Sequence, residues 1–382
     1  MSITIEQIIA GYEDEKRNRR PPVTAEDVPF VYEDITPEWL TAVLCVNHPG
    51  TQVTSYRLDQ PDEGNTSRRR IFLQYNLRGV RDGPPESVFC KASQPLPSRI
   101  GNGLSGAIQG EVNFYNKVRP SLQIEAPLCL FANYNAALNS IVILQDMGET
   151  ATFCKHTTDM TLERAKSQMS LLGRLHGRFL DSPQLKTTLS IFKTWTEFFS
   201  MLDYHDFEVA CDRALDIAGD AIPPRLLARR REIWPATQKS AQRHLDLPHT
   251  LCHGDVHLRN WYITADGRMG LNDWQAAHRG HWSRDVAYAM STALTIENRR
   301  KWEDELLRFY HDELQREAGR AIPFDCVRDE VRRQLFTALA FWTITLNPAP
   351  GMPDMQPRDA TLEFVRRIAA AVDDLDALDS FA

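Results

Sequence analysis

His253-Gly254-Asp255-Val256-His257-Leu258-Arg259-Asn260, with Asn272-Asp273-Trp274 shortly after it, places an Asp, an Asn and a second Asp in one short span of chain. Moving a γ-phosphoryl group to a hydroxyl asks for a carboxylate beside the attacking oxygen and for Mg²⁺ to neutralise the phosphate charge. Asp255 supplies the carboxylate, and Asn260 and Asp273 supply oxygen ligands for the metal in the order and spacing of a kinase catalytic loop. Working outward, Thr250-Leu251-Cys252 is an apolar run that predicts a strand entering the loop. Trp261–Thr264 and Met269–Leu271 flank the turn Ala265-Asp266-Gly267 and predict a hairpin. Asn260 then stands at one end of that hairpin and Asp273 at the other.

These residues resemble the aminoglycoside phosphotransferase and choline kinase superfamily, whose loop reads His-Gly-Asp with Asn five residues after the Asp. Asp273-Trp274-Gln275 narrows the resemblance to the ecdysteroid-kinase-like branch, which commonly has Gln where most members have Glu. Asp285-Val286-Ala287 resembles the element that braces the loop backbone in these kinases. The resemblance implies an α+β, bilobal protein-kinase-like fold. Residues 1–148 would form a small nucleotide-binding lobe with an antiparallel sheet and preceding helices. Residues 149–382 would form a larger, mainly helical lobe for catalysis and acceptor binding. It also implies ATP and Mg²⁺, with Asp255 catalytic and with Asn260 and Asp273 as metal ligands.

An upstream half is present for the nucleotide. Ser87-Val88-Phe89-Cys90-Lys91 predicts a strand ending in a lysine that resembles the one contacting the α- and β-phosphates, and Glu111, on a helical segment running to Val118, resembles its ion-pair partner. Val53–Leu58 and Arg70–Leu77 predict two strands separated by a turn containing Gly64, Asn65, Thr66 and Ser67. Amides and hydroxyls there are candidates for phosphate oxygens. Arg68, Arg69 and Arg70 either touch phosphate or solvate an edge. Ser140–Leu144 predicts a buried strand leading into Gln145-Asp146-Met147-Gly148, which resembles the hinge whose backbone recognises adenine. Gln145 replaces the usual Glu there. The GxxxxGK[ST] phosphate loop is absent.

Each of these residues has a plainer explanation. A lone Asp in a Gly-containing loop is ordinarily a turn former, a lone lysine is ordinarily solvated, and Glu111 is also what a helix dipole favours in a first turn. The ordered set is what favours chemistry. His253 reads as a loop-fixing residue and His176 as a packing residue. His253, Asp255 and His257 also suit a transition metal in a hydrolase, but that alternative leaves Asn260 and Asp273 without a role. A scaffold that binds nucleotide without turnover is a further alternative, against which stand Lys91, Asp255 and Asp273.

The 382 residues carry a formal charge of −7 with no broad basic stripe, which argues against a nucleic-acid partner. Seven dispersed cysteines without a CxxC pair point to neither a disulfide framework nor a zinc ribbon, and to a reduced, cytoplasmic setting. No stretch is long and apolar enough to insert in a membrane, and no signal peptide is legible. Helices are expected near the amino terminus, from Thr36 as cap, over Leu162–Phe179 with an apolar face, and over Phe192–Leu215, Pro224–Leu245, Arg284–Leu294, Asn298–Glu317, Asp329–Thr345 and Ala360–Leu375. Proline and glycine predict loops over Ser93–Gly106 and Asn347–Pro357. Asp373-Asp374-Leu375-Asp376 reads as a solvated helix end. The acceptor is a small-molecule hydroxyl; Trp195, Phe198, Phe199, Trp302, Tyr310, Phe341 and Trp342 favour a neutral, partly apolar alcohol over an aminoglycoside or macrolide.

Overall fold

Residues 3–64, 66–76, 83–200, 206–348 and 355–381 are described by a computed structural model, in which the chain divides into two units. One comprises Met1–Ser121 and Ala126–Thr150, the other Leu122–Glu125 and Ala151–Ala382. Asn65, the end of the strand expected to reach Leu77, and most of the 347–357 loop lie outside the described residues.

In the first unit, α1 (Ile5–Arg17) is started by Thr4 and Gln7 in a reciprocal capping box. Thr36 caps α2 (Pro37–Leu44), accepting from the Trp39 N–H, with Pro37 in the first turn as expected. Six strands make one antiparallel sheet: β1 (Val53–Leu58), β2 (Asp62–Glu63), β3 (Ser67–Tyr75), β4 (Ser87–Ala92), β5 (Cys129–Tyr134) and β6 (Ser140–Gln145). Their order is β1-β3-β4-β6-β5, with β2 on β3. The two-residue period of β4 sends Val88, Cys90 and Ala92 to one face, where Trp39, Leu40 and Val43 of α2 join Ile71, Ile141 and Ile143 in a core. Lys91 consequently falls on the opposite face.

The segment 93–106 is not the loop its composition predicts. Leu96–Ser105 form α3: Pro95 and Pro97 sit at the cap and first turn, where no backbone donor is needed, and Gly106 ends the helix at φ 80°. The prolines and the last glycine mark the ends of a helix. Arg99, buried within it, donates to the Gln94 carbonyl and pairs with Glu15 of α1. Then α4 (Ala107–Asn113) runs into a wider turn, Phe114–Val118, that buries Val118 as the expected helix does.

In the second unit, β7 (Ala151–Phe153), β9 (Trp261–Thr264) and β10 (Met269–Leu271) form an antiparallel sheet, and β8 (Thr250–Cys252) pairs with β11 (His278–Gly280). Glu125 joins this unit because its carbonyl accepts from Leu271 N at 3.0 Å and its carboxylate from the Tyr262 hydroxyl at 3.0 Å. The helices are α5 (Leu162–Phe179), α6 (Trp195–Ser200), α7 (Phe207–Ala218), α8 (Pro224–Ala228), α9 (Arg230–Gln242), α10 (Ser283–Ala293), α11 (Ile296–Ala318), α12 (Asp325–Leu346) and α13 (Arg358–Asp374). Ala165, Met169, Leu172, Leu175 and Phe179 of α5 are buried, as its periodicity predicts, against α11. Contacts with α7, α9, α10 and α13 surround α12. The helix expected over 192–215 is represented by α6 and α7, and the one over 224–245 by α8, α9 and a short turn. The acidic end is not simply solvated: Asp373 and Asp376 pair with Arg225, and Asp374 with Arg299 and Arg300.

Candidate active site

The loop after β8 is shaped by steric exclusion. Gly254 adopts φ 86°, and a Cβ there would lie 2.3 Å from the Ala276 carbonyl oxygen and 2.7 Å from His278 Nδ1, so only glycine fits between Cys252 and Asp255. The chain returns through a tight turn, Leu258–Asn260, into β9. Leu271 pairs with Trp261 across the β9/β10 hairpin, and Asn272 N donates to the Asn260 carbonyl at 2.9 Å. The ladder thus places Asn260 opposite Asn272, with Asp273 the next residue. Asp273 has φ 63°, a left-handed conformation that a non-glycine residue keeps only when its surroundings impose it.

Asp255 meets donors on both of its oxygens. The Tyr288 hydroxyl donates to Oδ1 at 3.0 Å, Asn260 Nδ2 donates to Oδ2 at 3.1 Å and to the Asp255 carbonyl at 2.8 Å, and His257 Nε2 is 3.5 Å from Oδ2. Burial alone would raise this carboxyl; His257, His253 and the Tyr288 hydroxyl outweigh it and hold Asp255 well below the usual carboxylate range. It is therefore an anion at any physiological pH. The side chain remains 40% exposed, so a substrate can reach it.

One turn of α10 clamps three consecutive loop residues. Asp285 accepts from His253 N at 2.7 Å and from Gly254 N at 3.0 Å, Arg284 donates to the Gly254 carbonyl, and Tyr288 holds Asp255. Asp285 is fully buried, which alone would raise its carboxyl, yet His176, His278 and Arg284 hold it below the usual range. The bracing part resembles what Asp285-Val286-Ala287 suggested. Arg284 and Tyr288 were not singled out in the sequence. Tyr288 stands three residues after Asp285 and four after Arg284, spacings that share a helix face, and that is the signal helix geometry offers.

His253 has the structural role expected of it. Its Nδ1 accepts from Asp255 N at 3.1 Å, its Nε2 donates to the Asn272 carbonyl at 2.9 Å, and its ring lies 4.5 Å from Trp274. With both nitrogens engaged, it has no lone pair for a metal, which removes the hydrolase grouping of His253, Asp255 and His257. A second buried trio, His176, Cys252 and Asp285, is close enough for a metal. It is instead a hydrogen-bonded network: His176 Nδ1 meets the Tyr310 hydroxyl at 2.8 Å and Nε2 meets Asp285 at 3.3 Å.

In the first unit, Lys91 Nζ and Glu111 Oε1 are 3.0 Å apart, both nearly buried, on a strand and a helix twenty residues distant in sequence. The hairpin residues fare differently. Ser67 pairs with Ala92 and Arg68 with Lys91, so strand alternation turns the Ser67 side chain to the core face, away from the lysine. Thr66 is buried and Gly64 exposed. Arg68 pairs with Asp62, Arg69 with Glu33, and Arg70 with Asp146 at 2.5 Å, so these arginines brace the unit's own carboxylates. Asp146 also accepts from Ser87 Oγ and Gly148 N, fixing the turn after β6. Gln145 ends β6 with an exposed side chain, its N–H donating to the Leu128 carbonyl; the Met147 carbonyl accepts from Thr150 N.

Comparison with known proteins bears on the second unit. The model of the phosphotransferase enzyme family matches residues 161–321, which include Asp255, Asn260, Asp273 and Asp285. This stretch, somewhat under half of the chain, is similar to that family. No curated protein sequence matches the chain. Among solved structures it is similar to aminoglycoside 2'-phosphotransferase-IIIa (11% identity, TM-score 0.47, covering 87% of this chain and 97% of that one). It is also similar to an ethanolamine kinase of Plasmodium vivax (11%, 0.46, 84% and 82%) and a choline kinase of Streptococcus pneumoniae (11%, 0.45, 84% and 94%). The chain has an antiparallel amino-terminal sheet and a mainly helical larger part. The donor set of the phosphotransferase loop fits Mg²⁺: Nδ2 of Asn260 is committed to Asp255, which leaves its Oδ1 for a cation, and Asp273 adds a partly exposed carboxylate. Both are hard oxygen ligands. Among the described residues, no helix is long and apolar enough to cross a membrane.

Proposed function

We propose that the protein transfers the γ-phosphoryl group of ATP to a hydroxyl of a small molecule. Asp255 carries this reading: an ionised, accessible carboxylate locked by three residues, with a metal-suited amide oxygen on its own hydrogen-bond partner. Asp255 orients the acceptor hydroxyl and takes its proton late in the transfer. Asn260 and Asp273 are the residues to hold Mg²⁺, whose role when bound is to neutralise charge on the phosphates. Lys91, steadied by Glu111, takes the α- and β-phosphates. Alignment and charge stabilisation do most of the catalysis, so the depressed basicity of Asp255 is compatible with it.

For the acceptor, a neutral and partly apolar alcohol is favoured over a polycationic antibiotic. Rings pack behind the loop: His257 is 5.2 Å from Trp342, which is 4.6 Å from Phe364, but all three are buried and do not by themselves choose the acceptor. Trp195, Phe199 and Tyr310 are likewise buried in packing and do not inform the choice. The Gln275 resemblance to the ecdysteroid-kinase-like branch agrees with such an acceptor. The test is ADP release from Mg-ATP across a panel of hydroxylated compounds, native protein against Asp255→Asn. Acceptor-dependent turnover should fall by about 10²- to 10⁴-fold, the usual worth of a positioned proton acceptor. Equal turnover by the variant would remove Asp255 from the mechanism, and strongest stimulation by aminoglycosides would reverse the acceptor preference.

A further inference from the structure

We propose that Tyr288 is a positioning residue that sets the rotamer of the Asp255 carboxylate; its catalytic consequence rests on the phosphotransfer reading above. The Tyr288 hydroxyl reaches Oδ1 at 3.0 Å while Asn260 Nδ2 reaches Oδ2 at 3.1 Å. The two donors come from different elements, α10 and the loop turn, so the carboxylate is gripped at both ends and its plane is fixed. Without Tyr288, one oxygen keeps its amide donor and the other is free to swing about it.

Three observations make this more than a buried phenol finding a partner. First, Tyr288 stands on the turn of α10 that fixes the loop backbone through Arg284 and Asp285, so the side chain and the peptide groups beside it are referred to one rigid body. Every residue of α10 is buried, which denies that helix an easy way to move. Second, the phenol is itself held. Tyr288 is 2% exposed, with the Arg284 guanidinium 5.3 Å from its ring and His257 6.3 Å away. The indole N–H of Trp342 acts on the same hydroxyl but makes no hydrogen bond of good geometry, so Asp255 is the hydroxyl's well-formed contact. Third, the alternative holder is weaker: His257 Nε2 stands at 3.5 Å from Oδ2, on the oxygen that Asn260 already holds. Oδ1 therefore depends on Tyr288.

Tyr288→Phe in the full chain removes the hydroxyl and keeps the ring. In a crystal structure of this variant, the Asp255 carboxylate should leave its present rotamer while the Asp285 bonds to His253 and Gly254 stay. A carboxylate that keeps its place overturns the proposal, whatever the protein does with ATP. In turnover of Mg-ATP, with the best acceptor of the panel or with water, kcat should fall about 10- to 100-fold, as misplacement of a reacting group does, with KM for Mg-ATP within about twofold. In the Asp255→Asn background the same change should cost nothing more, because the group it positions is already gone. Equal losses in both backgrounds would make Tyr288 merely structural and sink the idea. Native protein that neither binds nor turns over Mg-ATP would instead remove the phosphotransfer reading, and the rotamer would still decide for or against Tyr288.

Discussion

The Lys91–Glu111 pair of the first unit and the Asp255 loop of the second solve the problem of holding a charge in opposite ways. Lys91 meets Glu111 in a short ion pair between a strand and a helix. Asp255 meets Tyr288, Asn260 and His257, while Asp285 and Arg284 hold the peptide groups before it. In the first arrangement, the charge proposed for the phosphates is itself a member of the ion pair that holds it. In the second, position and function are separated: Asp285 carries position while Asp255 carries the proposed chemistry, and each should fail in its own way when removed.

The sharpest break of that separation is Asp285→Ala. It strands two buried backbone N–H groups and one nitrogen of His176, a loss of about 3–5 kcal/mol by analogy with other broken buried charge networks. Urea unfolding should show a much lower midpoint, whereas Asp255→Asn should unfold near the native midpoint; similar midpoints for both would erase the distinction. Gly254→Ala should come next, at roughly 1–3 kcal/mol for a non-glycine residue at positive φ, with more from the Cβ driven against the Ala276 carbonyl. Turnover should vanish with it, since Asp255 is the neighbouring residue. Full activity would show that the loop relaxes without displacing its carboxylate.

What was legible beforehand follows the range of the interactions. The hairpin ends, the apolar face of α5 and the cap at Thr36 depend on neighbours a few residues away, and all three are where their patterns put them. The segment 93–106 was misread because proline and glycine serve equally well as loop formers and as helix ends, and only the packing of Arg99 against α1 decides between them. Arg70 looked available for phosphate because Asp146, its partner, is 76 residues away. Tyr288 was invisible for the same reason: nothing local says that its hydroxyl reaches a loop 33 residues earlier. The Ser67 side chain illustrates a different limit, since a one-residue change in where β3 begins decides the face it points to.

A milder probe compares the two units directly. Glu111→Gln keeps the shape and removes the charge beside Lys91, and a hydrogen bond to a charged group is worth about 1.5–3 kcal/mol. KM for Mg-ATP should rise by roughly tenfold or somewhat more, with kcat changing less, because a lysine that no longer points at the phosphates weakens binding before it weakens alignment. A fall in kcat alone would place Glu111 among the groups that act only in the transition state, where the proposed mechanism puts Asp255.

The smallest effect expected is one of pH on stability, and it belongs to the second unit. His278 and His281 are buried beside the loop; burial, helped by Arg284, pushes His278 down to about 4, and burial, helped by His176, pushes His281 down to about 3. Both are therefore neutral in the folded protein at pH 6, while their unfolded counterparts titrate near 6.5. As pH falls below 6.5 the unfolded chain takes up protons that the folded one refuses, so stability present above that pH is progressively lost toward the folded values. Between pH 6.5 and 5.5 each histidine can cost up to about 1.4 kcal/mol, a window in which ordinary carboxylates stay ionised. Urea midpoints at those two pH values should differ, and because burial lowers His244 and His253 as well, His281→Gln should shrink the difference by about a quarter if the four contribute alike. A pH slope untouched by that substitution would move the acid sensitivity away from this cluster and back to the salt-bridged pairs elsewhere in the chain.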